Sequence, residues 1–261
     1  MNHIIFSPHL DDAVLCCGGM IAKLIAAGDS VTNQTIFCGP AQPPYSPLAS
    51  SLHEKWGNPK NMVRLRRAED RAAGAKLGAR VIHGERFEPI YRVDEEGRWL
   101  YHEIADIFGP RNTADDHLVE ELITEIGADE EISDSRLYFP LGIGHHVDHI
   151  IMFEVGHTLL QQGHDVVFYE DFPYTIRDDN FEQRRAELPA FQSVTIPLSL
   201  GEMNAKIEAF LYYRSQVPML FQTFNNVPEA FMNFGRSVTE DGQSFGERLW
   251  FTPEFGNPFE S

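Results

Sequence analysis

MNHIIFSPHLDDAVLCCGG, residues 1–19, decides how the rest of the chain is read. Its apolar run over residues 2–7 reads as a buried strand. The run breaks at Ser7-Pro8 into a turn carrying one histidine and two adjacent carboxylates, His9, Asp11 and Asp12, before a helical stretch begins. Neighbouring aspartates repel each other, and a loop made only to turn would draw on Gly, Asn or Ser. The stretch therefore points to a strand–loop–helix unit that meets something cationic where its strand ends.

The same alternation continues along the chain. Gly18-Gly19 reads as the opening of a helix to about residue 27, ended by Gly28. Further strands are expected at 31–38, 81–83, 137–140, 166–169 and 193–198. Helices are expected from the Asn61 cap to about Gly78, over 116–126, from the 145–149 region to about 162, and over 202–216. The stretches 39–61 and 84–115 read as long loops, the second with a short helix near 101–108. The tail to Ser261 reads as loop-rich with a short helix around 228–233. Strands alternating with helices imply a mainly parallel sheet covered on both faces, within one domain over 1–261. Ligands of such sheets sit outside the carboxyl ends of the strands. SPHLDD, PLGIGHHVDH and YEDFPY each follow a strand, so they are expected to gather on one edge.

Composition narrows the class. Against 21 Lys+Arg stand 39 Asp+Glu, a net charge of −18, which suits neither nucleic acid nor an anionic membrane surface. No apolar run reaches the roughly 18–20 residues of a bilayer span. The first residues lack the basic and apolar regions of a signal peptide. Cys16, Cys17 and Cys38 cannot pair completely, and no second cysteine pair completes a thiolate metal site. They read as buried thiols of a reducing, cytoplasmic chain.

Seven metal-competent side chains fall in two short loops that follow strands: His9, Asp11 and Asp12, then His145, His146, Asp148 and His149. A hydrolytic zinc site takes three His or carboxylate ligands and leaves one position for water. His9 and Asp12, three apart, can aim at one point from a tight turn, and His149 at a helix start can supply the third ligand. Asp11 then stands beside the metal, free to accept a proton. His146, one helical turn before His149, can face the same centre without ligating it.

SPHLDDA, residues 7–13, resembles the PHPDDE-type motif of the PIG-L/LmbE-like family of zinc-dependent N-deacetylases, and HHVDH, residues 145–149, is similar to that family's HxDH motif. The helix with Arg66, Arg67, Ala68 and Glu69, the YEDFPY segment at 169–174, and Lys206 followed by Tyr213, Arg214, Ser215 and Gln216 resemble further family segments in the same order. The resemblance implies a Rossmann-like, three-layer α/β fold without a dinucleotide, in agreement with the absence of GxGxxG. It implies zinc, or ferrous iron in the cell, on His9, Asp12 and His149. It implies Asp11 as general base, His146 beside the oxyanion, and Asp148 orienting a histidine without touching the metal. The implied reaction removes acetyl from a small-molecule N-acetyl amino-sugar conjugate. A metal-assisted amidase of a thiol conjugate or acylated secondary metabolite is the second reading, and a non-catalytic carbohydrate- or metal-binding protein the third. Arg66, Glu88, Arg92, Asp171 and Lys206 are the candidate substrate contacts, and homo-oligomerisation stays open. Three positions depart from the family: Leu10 for Pro, Ala13 for Glu, and Gly144 where its sugar enzymes often carry an aromatic hydroxyl.

Overall fold

The computed structural model describes residues 1–57, 61–177, 179–221 and 226–253. The chain runs β1 (Asn2–Ser7), α1 (Asp12–Ala26), β2 (Ser30–Phe37), α2 (Pro47–Lys55), α3 (Met62–Leu77), β3 (Arg80–Arg86), α4 (Ile104–Ile107), α5 (His117–Gly127), β4 (Ser135–Pro140), α6 (Val147–Gln161), β5 (Val166–Tyr169), α7 (Asn180–Glu187), β6 (Gln192–Leu198), α8 (Leu200–Phe210), α9 (Val217–Leu220), α10 (Val227–Ser237) and β7 (Phe245–Phe251).

The seven strands form one sheet in the order β3-β2-β1-β4-β5-β7-β6. The first five are parallel, and β7 runs antiparallel to both β5 and β6. Both faces are buried, as the period of two requires. Ile5, Tyr138 and Val167 pack beneath α1, α3 and α8, whereas Ile4, Phe6, Leu137 and Phe139 pack beneath α5 and α6. The mainly parallel three-layer α/β architecture expected from the alternation is the one observed.

From β1 the chain builds outward through β2 to β3, then returns to lay β4 on the other side of β1. The order of strands therefore reverses between β1 and β4, and the loops leaving those two strands diverge around a crevice. This is where SPHLDD and PLGIGHHVDH emerge.

Local chemistry explains the regular parts. The Asn61 side chain caps α3 by accepting from Arg64 N at 2.9 Å, and Gly78 ends it in the left-handed region at φ 85°. Four expectations need correction. First, α1 begins at Asp12, and Gly18-Gly19 lie in its middle. A Cβ on Gly18 would come within 2.8 Å of Lys206 Cγ, and one on Gly19 within 2.3 Å of Leu198 Cδ1, so both glycines admit neighbours that press on the helix. Second, the 39–61 loop holds α2, started by the Ser46 hydroxyl and Pro47; residues 58–60 of that loop lie outside the described residues. Third, the 202–216 helix stops at Phe210. Fourth, the tail supplies β7 and a longer α10, with the stretch beyond 253 outside the described residues. Among the described residues, no helix is long and apolar enough to cross a membrane.

Candidate metal centre and active site

The turn after β1 is tied to the start of α1. Ser7 Oγ donates to His9 O at 2.6 Å and accepts from Ala13 N at 3.0 Å, and His9 N donates to Asp12 Oδ2 at 2.8 Å. Asp11 occupies the cap position of α1 but its side chain makes no capping bond, so its carboxylate stays available to the crevice. Across the crevice, His146 caps α6, its Nδ1 accepting from Asp148 N at 3.2 Å. That bond leaves Nε2 as the proton-bearing nitrogen of a neutral ring. Burial, then the charges of His9 and His149, push His146 well below its usual pKa, which keeps it neutral.

His9, His146 and His149 are all buried, and one ring nitrogen from each lies within 4.8 Å of the others. Asp12 Oδ2 sits between two of them, 3.3 Å from His9 Nδ1 and 3.4 Å from His149 Nε2. Ligands at about 2.0–2.1 Å from a tetrahedral metal stand about 3.3 Å apart along each edge. His149 Nε2 is buried with no hydrogen-bond partner. An orphaned imidazole nitrogen beside a carboxylate at tetrahedral-edge distance fits a divalent cation better than it fits a finished hydrogen-bond network. Two imidazoles and one carboxylate so placed are a donor set that a hydrolytic metal site can use.

The opposite nitrogens of both histidines are fixed. His9 Nε2 meets Asp148 Oδ2 at 2.9 Å, and His149 Nδ1 meets Asp171 Oδ1 at 2.6 Å. Asp148, fully buried, is held in turn by Arg92, which reaches Asp115 Oδ2 at 2.8 Å and donates its Nε to Phe87 O at 3.0 Å. Tyr101 donates to the same Asp115 oxygen at 2.7 Å. Asp171 Oδ2 accepts from Ile143 N at 2.9 Å. Carboxylates behind ligating histidines set tautomer and ring direction.

Electrostatics separate the two adjacent aspartates. Burial raises Asp12, but the imidazoles of His149 and His9 hold it well below the usual carboxylate range. Burial and then the charge of Asp12 push Asp11 up to about 7, against the pull of Arg66 and His9. The two adjacent carboxylates are thus driven in opposite directions.

These groups open on a cavity of about 320 Å³ whose wall includes His9, Asp11, Asp12 and His146, with Arg66, Glu88 and Gln216. Arg66 donates to Glu88 Oε1 at 2.6 Å, so the charges of that pair are balanced, while Arg66 Nε is buried without a hydrogen-bond partner. Trp56, Phe108 and Tyr174 provide aromatic surface. Arg92, Asp171 and Lys206 do not line this cavity. Arg92 and Asp171 brace the histidines from behind, and Lys206 packs on the middle of α1, bound to Cys16 O and Glu247 Oε1. The Gly144 departure has a steric cause: at φ +87°, a Cβ there would meet Tyr174 Cβ at 2.9 Å. The Tyr174 ring fills that space and lies edge-on to His149, with centroids 5.8 Å apart. Asp115, Tyr174 and Gln216 were not singled out from the sequence. Tyr174 and Gln216 close the YEDFPY and YRSQ segments, which was the one available signal.

Known proteins resemble this chain in sequence and in structure. The sequence pattern of the PIG-L family, described as GlcNAc-PI de-N-acetylase, matches residues 4–160. The 2'-N-acetylparomamine deacetylase of Niallia circulans is 29% identical over 232 residues, covering 82% of this chain and 80% of that protein. The enzyme of the same name from Streptomyces fradiae is 26% identical over 238 residues, covering 82% and 72%. The zinc-inhibited form of teicoplanin deacetylase superposes with a TM-score of 0.84 at 29% identity, over 96% of this chain and 97% of that one.

Proposed function

The chain belongs to the PIG-L family, and from that premise we propose that it is a metal-dependent hydrolase removing acetyl from an N-acetylated amino-sugar conjugate. The observation that carries this reading is the buried His149 Nε2, without a hydrogen-bond partner and 3.4 Å from Asp12 Oδ2, at the point where the strand order reverses. The deacetylase names of the paromamine and teicoplanin relatives support the reaction class.

His9 Nδ1, Asp12 Oδ2 and His149 Nε2 would hold the ion. Asp12 is preferred over His146 as third ligand because its oxygen stands at tetrahedral-edge distance from both other donors. Zinc held there supplies Lewis acidity to a carbonyl oxygen and makes water a better nucleophile near neutral pH. Asp11 takes the proton from water as its oxygen attacks the amide carbon, and then passes that proton to the departing amine. His146 offers its Nε2–H to the oxygen of the tetrahedral adduct. Asp148 and Asp171 keep the two other rings in the tautomers that present the ligating nitrogens inward. A protein that only bound carbohydrate would have no use for an uncapped Asp11.

The test is metal analysis of the purified protein together with acetate release from a panel of N-acetylglucosaminides and N-acetylated aminoglycosides. One equivalent of zinc or iron per chain, with acetate release that chelation abolishes, is the expected result. Acetate release that survives complete metal removal would overturn the mechanism. Metal without acetate from any sugar would move the substrate to another class of amide.

A further inference from the structure

Between α8 and α9 the chain makes a tight turn, and its last residue enters the cavity. Gln216 is 1% exposed and shares the wall with Asp11 and His146. Its Nε2 donates to Ser215 Oγ at 2.9 Å, while Oε1 has no partner among the described residues. Gln216 thus contributes to the cavity wall an amide whose oxygen accepts from no described residue.

The turn is also held with more bonds than a connector needs. Ser215 N and Oγ donate to the two oxygens of Glu69 at 3.0 and 2.6 Å. Tyr213 Oη donates to Asp70 Oδ1 at 2.6 Å. Glu69 and Asp70 follow Arg66 by three and four residues on α3, so the same helix sets Arg66 in the wall and anchors the turn across from it. Because Arg66 is compensated by Glu88, Gln216 brings an uncharged acceptor and a spare N–H to the cavity.

We propose that Gln216 is a specificity-determining residue that reads one ring hydroxyl of the sugar, with Glu69 and Ser215 as positioning residues behind it. This rests on the amino-sugar reading above. A sugar hydroxyl donates and accepts at a single atom, which matches both faces of a primary amide. A site built to bond a hydroxyl discriminates strongly against the analogue that lacks it.

Gln216→Leu, tested with methyl 2-acetamido-2-deoxyglucoside and its 3-, 4- and 6-deoxy counterparts, decides the matter. KM should rise about tenfold for the parent sugar, with kcat and metal content kept. One deoxy sugar should show a similar rise on the unaltered protein and no further rise on the variant. Gln216→Glu, which keeps the acceptor, should recover most of the loss, and Ser215→Ala should show a weaker form of it. An unchanged KM, or an equal loss for all four sugars on the variant, would overturn the assignment. Calorimetric affinities of the corresponding free amino sugars give the same cycle without turnover. Failure of deacetylation and failure of this assignment are therefore read separately.

Discussion

Helix α1 meets buried charge at two places, and the two are built in opposite ways. In its middle, Glu247 accepts from Gly19 N at 2.9 Å, Met20 N at 2.7 Å and Lys206 Nζ at 2.6 Å. Lys206 also donates to Cys16 O at 3.3 Å and lies 5.2 Å from the Phe231 ring. Every charge there has its partners. At the N-terminus of the same helix, Asp11 caps nothing, His149 Nε2 has no hydrogen-bond partner, and two carboxylates stand side by side. Burial of charge alone is therefore no sign of function. Incomplete compensation of buried charge is the more telling feature, because it marks where an outside group is meant to enter.

The contrast can be broken by experiment. His149→Ala should have the largest effect, bringing metal content and acetate release below detection while the fold, followed by far-UV circular dichroism, persists. Asp11→Asn should lower kcat by about 10²–10⁴ with metal retained, measured by acetate release and metal analysis on one preparation. Lys206→Met removes one member of the compensated pair and should cost about 3–5 kcal/mol in urea unfolding at unchanged m. Its folded fraction should still bind metal, and loss of metal in that variant would erase the distinction between the two places. Asp148→Asn is the mildest: the amide can donate to His9 Nε2, favouring a proton on Nδ1 where a ligand is needed. Metal affinity by chelator competition should fall about 10–100-fold.

How much of this was legible in the sequence depended on how local the cause was. The two loops could be found because each follows a strand announced by its own apolar period, and their residue types are few and unusual for turns. Their gathering on one edge followed from the alternation, but the reversal that opens a crevice between them did not, since strand order is set by pairing between distant segments such as Ile4 and Leu137. β7 escaped because Glu247 and Arg248 interrupt its apolar residues. Their neutralising partners, Lys206 and Glu170, lie far away in sequence. The same distance effect explains Arg92, Asp171 and Lys206. A charged residue inside a recognisable segment reads as a ligand contact until its protein partner is seen. Gly18-Gly19 suggested a helix start because what presses on them, Lys206 and Leu198, arrives from near the other end of the chain.

The pairing of β1 with β4 also fixes when the site can exist. Ile5 meets Tyr138, so during synthesis more than half of the chain must emerge before the two ligand loops can face each other. A contact that long in sequence forms late, after the loop-closure entropy has been overcome by other pairings. A metal ion captured by this centre would then certify a finished sheet rather than seed one. Metal added at the start of refolding should leave the main folding rate unchanged and slow only the unfolding.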